Sequence, residues 1–337
     1  MTTAEGLEVL MNGTVLVTGG AGYIGSHTVR RLLHNGYQVA VLDNLSKGHR
    51  WAVPADVSLI VGDIADTAQV AMTIRQLHVT SVIHFAAFSL VGESMIEPRA
   101  YYANNVAGTL HLLDALRVAG VDRIVFSSSA AVYGEPARVP IDEDSPLTPT
   151  SVYGRTKMVI EGILHDYAVA YGLRSVSLRY FNAAGADSQG GIGEDHDPET
   201  HLIPLVLQAA AGRRPSVSIY GDDYPTSDGT CIRDYIHVND LADAHILALE
   251  SLERQVEATY NLGNGEGFSV KQIVETAQRV TGREIPVVHA PRRAGDPAVL
   301  VASNARARRE LGWAPQLTDL EAIVQTAWDW ELHRPIS

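Results

Sequence analysis

Tyr153 and Lys157 stand four residues apart in "SVYGRTKMVIEG" (151–162), a stretch that reads as a helix, and three serines, Ser127 to Ser129, come shortly before them in "FSSSAAVYG". On a helix, positions i and i+4 share a face and side chains lean toward the N-terminus, so the Lys157 ammonium is carried beside the Tyr153 ring. The chemistry such a pair offers is proton abstraction by a phenolate. A tyrosine with an ordinary pKa of about 10 needs roughly 4 kcal/mol in favour of its charged form to ionise near pH 7. One cation at about 5 Å, through an effective dielectric near 20, supplies roughly 3 kcal/mol. A second positive charge has to complete the shift. Ser129 ends a strand-like run, at the carboxyl edge where open α/β sheets place ligands, and its hydroxyl can bond the same substrate oxygen. Taken singly, Y-x-x-x-K spacing and serine runs are common in proteins without this chemistry. Their order in the chain, after a glycine turn and an acid, gives them weight.

That turn is "VTGGAGYIGSH", with Gly19, Gly22 and Gly25 at G-x-x-G-x-x-G spacing between a β-branched run, "TVLVT" (14–18), and an amphipathic stretch from Tyr23 to His34. In this place backbone N–H groups and a helix N-terminus can hold a pyrophosphate whose approach side chains would obstruct. Away from such a place the same glycines would mean only a tight turn. Asp43 ends the second strand-like run, 18 residues after Gly25, where a carboxylate accepts hydrogen bonds from a ribose diol and repels a 2'-phosphate. The pattern favours NAD over NADP, with Lys47 and Arg50 pulling the other way. The positive nicotinamide ring of oxidised NAD would be the second charge that Tyr153 needs. Asp63, after the third run, has two readings, an adenine-facing acid or a helix N-cap.

The elements that must position these groups form an alternating series. "QVAVLD" (38–43), "SLIVGD" (58–63), "SVIHFAA" (81–87), "RIVFSSS" (123–129) and "RSVSLRYF" (174–181) read as strands, with helical patterns between several of them. Continuous apolar strands alternating with helices imply an α/β fold, a doubly wound parallel sheet covered on both faces. Near Asn182 the character changes to a glycine- and acid-rich segment with neither period, which reads as a long loop. The chain divides there into a dinucleotide-binding domain (1–181) and a smaller α/β substrate domain (182–337), with part of about 233–262 packing back on the first. In the second domain helices are expected from about Pro204, over 240–253, near 270–280 and at 303–311, with a strand at "ATYNLG". Residues 1–11 read as an extension, and Met11 offers an alternative start.

At 337 residues and 46% hydrophobic composition the chain can bury a substantial core. No apolar run approaches the roughly 20 residues of a membrane span. A formal charge of −13 argues against non-specific nucleic-acid or anionic-membrane binding, so phosphate must be held locally. The single cysteine, Cys231, excludes an internal disulfide and fits a reducing compartment, the cytoplasm. His84 and His237 lack partners at metal spacing, and no metal is assigned.

From about Val15 to Trp330 the chain resembles the extended short-chain dehydrogenase/reductase family, and within it the UDP-glucose (UDP-galactose) 4-epimerases. Besides the glycine turn and Y-x-x-x-K, the resemblance rests on "LDNLS", "GDI", "HFAA" followed by "VGES", "NNVAGT", "FSSSAAVYGE", "LRYFNAAGA", "DYPTSDGTCIRDYIHVNDLADAH", "YNLGNGEGFSV" and "APRRAGDPA". It implies a Rossmann-type fold and a tightly bound NAD. Tyr153 takes the role of base, with Lys157 tuning it and holding the nicotinamide ribose, and Ser129 assisting at the sugar hydroxyl. It further implies cofactor contacts from Gly19, Gly22, Tyr23, Ile24, Gly25, Asp43, Asn44, Asp63, Ile64, Phe85, Ala86, Ala87, Asn104, Ser127 and Tyr180. UDP-sugar contacts fall on Ser129, Phe181, Asn182, His201, Leu202, Ser218, Tyr220, Arg233, Arg293, Asp296 and Leu300, with the arginines suited to a diphosphate.

Three positions depart from the family pattern. Ser89 stands where a lysine is usual. His201 replaces an asparagine and reads equally as a loop histidine or a phosphate contact. Leu300 is smaller than the tyrosine of some members, which would admit UDP-N-acetylhexosamines. Rival readings are a UDP-uronate or pentose epimerase and a non-catalytic NAD sensor, though sensors commonly lack the Tyr-Lys pair. A dehydratase needs an acid and a base beside Ser129, where this chain has Ala130 and Ala131. The resemblance also implies a homodimer through helices near 100–119 and 152–170, whose apolar faces equally suit internal packing.

Overall fold

The computed structural model of the protein describes residues 13–293 and 296–335, so the extension expected over 1–11 lies outside the described residues. Six strands come first: β1 (Thr14–Thr18), β2 (Gln38–Asp43), β3 (Ser58–Val61), β4 (Val79–His84), β5 (Arg123–Ser127) and β6 (Arg174–Tyr180). Three more, β7 (Asn182–Ala184), β8 (Val217–Tyr220) and β9 (Ile232–His237), precede β10 (Glu257–Leu262), which returns to pair with β6. The result is a seven-stranded sheet in the order β3-β2-β1-β4-β5-β6-β10, parallel throughout.

Among the described residues the longer helices, of nine residues or more, are α1 (Tyr23–His34), α2 (Thr67–Gln76), α3 (Gly108–Ala119), α4 (Val152–Tyr171), α5 (Leu202–Ala210), α6 (Val238–Ser251), α7 (Val270–Thr281) and α8 (Leu320–His333), with shorter helical pieces at Val91–Ile96, Pro98–Tyr101 and Ala305–Glu310. Side chains alternate across a strand, and β1 shows the consequence. Val15 and Val17 pack toward α1 and α6, with Val29, Leu32, Leu241 and Leu249. Leu16 packs the other way, toward α2, α3 and α4, with Ile74, Leu112 and Ile160. Both faces being covered, β1 is apolar along its length rather than alternating.

The remaining strands, β11 (Gly267–Ser269), β12 (Val287–Ala290) and β13 (Val299–Leu300), build smaller sheets. β9 pairs with β7, β11 and β13, and β12 pairs with β8. α5, α7 and α8 enclose their own core around Ile203, Leu207, Ile273 and Ile323.

Several strands end earlier than their apolar runs. β4 stops at His84, because the N–H groups of Phe85 and Ala86 both turn to the carbonyl of Thr18 (2.9 and 3.1 Å). The segment read as an unbroken loop from Asn182 begins with β7, held by β9 rather than by any local pattern. α8, in "LEAIVQTAWDWELH", was not anticipated. A π-helical turn at Tyr102–Ala107 is a second surprise. Such turns re-aim side chains, and here Asn105 is tied to the N–H (2.8 Å) and carbonyl (3.0 Å) of Phe88, while neighbouring Asn104 lines the cavity described next.

Candidate functional site

Strand order reverses between β1 and β4, and a crevice opens at the carboxyl ends of the strands beside that point. It is a cavity of about 520 Å³ lined from the seven-stranded sheet and from the sheet around β9. The turn after β1 packs tightly. Gly19 has φ +72°, and a Cβ there would lie 2.6 Å from the nitrogen of Ala86, so only glycine fits. A Cβ on Gly25 would lie 2.2 Å from the carbonyl oxygen of Gly19. Gly22, the N-cap of α1, brings no side-chain acceptor, which leaves the first-turn N–H groups and the positive end of the helix dipole for an anion.

Asp43 is buried at the end of β2. One carboxylate oxygen accepts from the N–H of Ala21 (2.9 Å) and the other from that of Leu45 (2.8 Å), which ties the glycine turn to β2 and leaves each oxygen a further lone pair. Tyr23, Ile24, Asn44, Ile64, Phe85, Ala86 and Ala87 line the same end of the cavity; Asp63 does not. Asp63 is exposed and accepts from Asn44 Nδ2 (3.1 Å) and the N–H of Ala65 (2.9 Å), while the N-cap of α2 is Asp66, bonded by the N–H of Gln69 (2.9 Å). Lys47, weighed as a phosphate ligand, instead donates to the carbonyl of Asp197 (2.9 Å).

Tyr153, Lys157 and Ser129 converge. α4 starts at Ser151, whose hydroxyl accepts from the N–H of Gly154 (3.0 Å), and a Cβ at Gly154 would lie 2.3 Å from the carbonyl oxygen of Ala131. That glycine lets α4 press against the loop after β5, where Ser129 comes close enough to Tyr153 to favour its phenolate. Lys157 Nζ lies 5.8 Å from the Tyr153 ring centroid and 4.8 Å from that of Phe126, and donates to the carbonyl of Ser127 (2.7 Å). Among protein groups alone, burial pushes the Tyr153 phenol up and the nearby Ser129 hydroxyl pulls it down. Burial lowers Lys157 to about 7, opposed by Glu161. The balance drawn from the sequence took no account of burial, which dominates both groups here. Ser127 does not line the cavity; its hydroxyl donates to Tyr180 OH (2.9 Å), which does.

At the other end Phe181, Asn182, Arg233, Asp296 and Leu300 line the cavity, with Arg233 ion-paired to Asp296. Leu202, Ser218, Tyr220 and Arg293 are not brought to its wall. Ser218 and Tyr220 lie on the two-stranded β8–β12 ribbon, and the Arg293 guanidinium stacks over the Tyr220 ring at 4.0 Å.

Sequence reasoning missed the segment 185–201 as a wall of the site. It is pinned along its length: Tyr23 OH donates to the carbonyl of Gly185 (2.6 Å), Trp330 Nε1 to that of Glu194 (2.8 Å), and Arg334 to the Asp195 carboxylate (2.8 Å). Glu194, His196, Asp197, Pro198 and His201 face the cavity. His201 Nδ1 lies 2.7 Å from Glu194 and 3.3 Å from Glu199, and His196 Nδ1 lies 3.2 and 3.6 Å from the same pair. Burial alone would lower both histidines, but the two carboxylates outweigh it and carry His196 up to about 9 and His201 to about 10. The imidazoliums in turn hold Glu194 and Glu199 low against the pull of burial. These four ligand-capable groups lie within 4.8 Å of one another, whereas the sequence pattern draws attention only to His84 and His237. His84 is bonded to Thr18 and Thr109 and His237 to Thr326 and the N–H of Asn239. The alternation of acids and histidines in "GEDHDPETH" was the available signal.

Residues 15–263 match the model of the NAD dependent epimerase/dehydratase family. Among curated relatives, a UDP-glucose 4-epimerase of Halalkalibacterium halodurans is 57% identical over 323 residues, 95% of this chain and 96% of that one. Two solved structures are similar throughout. The UDP-glucose 4-epimerase from Brucella ovis in complex with NAD has a TM-score of 0.92 at 52% identity, covering 94% of this chain and 98% of that one. The enzyme from Bifidobacterium longum in complex with NAD+ and UDP has a TM-score of 0.90 at 39% identity, covering 95% and 98%.

Proposed function

Since the chain belongs to the NAD dependent epimerase/dehydratase family, we infer that it is an enzyme that inverts C4 of UDP-hexoses, interconverting UDP-glucose and UDP-galactose through a transient 4-keto sugar with NAD as cofactor. The observation that supports this most is the meeting of Tyr153, Ser129 and Lys157 in the middle of one cavity, between the glycine turn with Asp43 and the cleft with Arg233.

The residues present fit NAD. The open first turn of α1 suits its pyrophosphate, and the free lone pairs of Asp43 suit an unmodified ribose diol. NAD supplies the capacity to take a hydride from C4 and return it to the other face of the ketone. Tyr153 removes the proton of the C4 hydroxyl and gives it back after the sugar has turned. Ser129, beside Tyr153, holds the same oxygen. Lys157 adds positive charge that favours the phenolate. Arg233 holds the diphosphate while sharing its guanidinium with Asp296, and Asn182 and Phe181 border the sugar. Segment 185–201 closes the cofactor end and excludes water from the ketone. Ala130 and Ala131 line the cavity beside Ser129 and carry no group able to expel water, while Glu93, also on the wall, accepts from Tyr101 OH (2.8 Å).

A second copy of the chain would cover the outward side of α3 and α4, where Val118 (55% exposed), Val169 (76%) and Tyr171 (59%) stand uncovered. Sedimentation of the purified protein tests this pairing. The single buried Cys231 suits the cytoplasm.

Purified protein incubated with UDP-galactose should form UDP-glucose without net NADH release. Tyr153→Phe should lower kcat by about 10²–10⁴-fold with NAD content and UDP affinity retained. Binding of UDP-sugar without turnover by the parent protein would instead identify a sensor.

A further inference from the structure

Helix α4 carries a third group on the face of Tyr153 and Lys157. Glu161 follows Lys157 by four residues, so positions 153, 157 and 161 rise along one side of the helix. Each meets one of the three consecutive serines at the end of β5. Tyr153 faces Ser129, Lys157 Nζ donates to the carbonyl of Ser127 (2.7 Å), and the Ser128 hydroxyl donates to Glu161 Oε1 (2.6 Å). Helix and strand end are thereby stitched by two hydrogen bonds, with Tyr153 and Ser129 facing each other beside them. Ser128 has no exposure at all and does not line the cavity.

Glu161 is itself locked from the neighbouring strand. Arg179 of β6 grips the carboxylate with Nε (3.0 and 3.2 Å) and a terminal nitrogen (2.6 Å). Its other terminal nitrogen donates to Tyr133 OH (2.8 Å), which donates in turn to Asn261 Oδ1 (2.7 Å) on β10. Arg179 is 6% exposed, so this is a buried ion pair with its hydrogen bonds satisfied. Such pairs are weak sources of stability, and their best use is to fix one arrangement among several.

We propose that Glu161 is a positioning residue for the epimerase reaction: locked by Arg179 and holding Ser128, it sets the place of Ser129 against Tyr153 on the reacting oxygen. The proposal rests on the reading of Tyr153 as base. Misplacing a reacting group by about 1 Å can cost on the order of 100-fold in rate, and loss of one of the two stitches should allow a fraction of that.

Full-length parent, Ser128→Ala, Glu161→Gln and the double variant are compared for UDP-galactose turnover, with NAD content and thermal midpoint measured on each. Ser128→Ala should lower kcat about tenfold, with KM within about twofold of the parent and NAD retained. The double variant should be no slower than Glu161→Gln alone, because both changes cut the same stitch. A Ser128→Ala kcat within twofold of the parent overturns the proposal, and so do single losses that multiply in the double variant. Glu161→Gln leaves Arg179 partly unpaired; should it fail to fold, the kcat and KM of Ser128→Ala decide the matter alone. Tyr153→Phe in the same assay tests the base itself. A fully active Ser128→Ala beside an inactive Tyr153→Phe overturns only the positioning role, and a fully active Tyr153→Phe overturns the reading beneath it.

Discussion

Lys157→Met removes the ammonium from the helix face of Tyr153 while keeping an unbranched side chain of similar length. Taking the ring centroid as the centre of phenolate charge, the 5.8 Å separation and an effective dielectric near 20 give an attraction of about 3 kcal/mol, or about two decades in the ionisation constant. With a pKa of about 7, Lys157 is half charged at neutral pH, which reduces its help in the parent by only about twofold. The variant should therefore lose roughly 50- to 100-fold in kcat at pH 7, and the acid limb of its pH–rate profile should move up by about two units. Turnover of UDP-galactose is followed from pH 5.5 to 9.5 on protein whose NAD content is measured, since Lys157 is also the expected partner of the nicotinamide ribose. A variant that keeps its NAD and stays within fivefold of the parent would refute the electrostatic reasoning. A slow variant whose acid limb stays in place would show that the lysine acts by contact rather than by charge.

Asp43→Ala strips acceptors from the N–H groups of Ala21, at a buried site, and Leu45, at a part-buried one. It should lower stability by about 2 kcal/mol, seen in denaturant unfolding, and reduce the NAD that copurifies; unchanged NAD content would count against the ribose assignment. The charge-paired cluster on segment 185–201 makes its attachment depend on pH. His196 and His201 are raised above their ordinary values, so their contribution is complete below about 6.5 and is lost as pH rises through about 9 to 10. Glu194 and Glu199 are depressed, so theirs is complete above the usual carboxylate range and lost only in stronger acid. Hydrogen exchange of 185–201 should accelerate on the alkaline side, and His201→Asn should flatten that rise; an identical alkaline rise in the variant would remove the cluster from the explanation. Leu300 lines the cavity at the end proposed for the sugar, so Leu300→Tyr should depress turnover of UDP-N-acetylglucosamine more than that of UDP-galactose. Equal effects on the two substrates would show that this position does not read the 2-substituent.

Much of the fold was legible because its signals are local. α1 was expected from Tyr23 to His34 and is found there, since an amphipathic period bounded by a glycine turn and "NG" needs no partner to be read. Strand ends were less legible. β4 and β5 stop at His84 and Ser127 within apolar or serine-rich runs that continue, because after β4 the chain turns to the carbonyl of Thr18 on β1 and after β5 the N–H of Ser128 turns back to the carbonyl of Phe126 (3.0 Å). β7 and the π-helical turn that turns Asn104 to the cavity had no sequence signature, as both are imposed by pairing with distant residues.

The site divides in the same way. Residue types and spacing determined which groups can do the chemistry: the glycines that tolerate close backbone, an acid at the second strand's end, and a phenol, an amine and a hydroxyl in the order an α/β sheet requires. Only the tertiary structure decided how those groups behave. Burial, which no spacing encodes, sets the protonation of Tyr153 and Lys157. Arg233 reaches the cavity from β9, whereas Arg293, beyond the end of β12, stacks over Tyr220 instead. Contacts among α1, α8 and segment 185–201 bring four charges of "GEDHDPETH" to the cofactor end. Electrostatic energies follow distance and dielectric, and both are properties of the folded packing rather than of the order of residues.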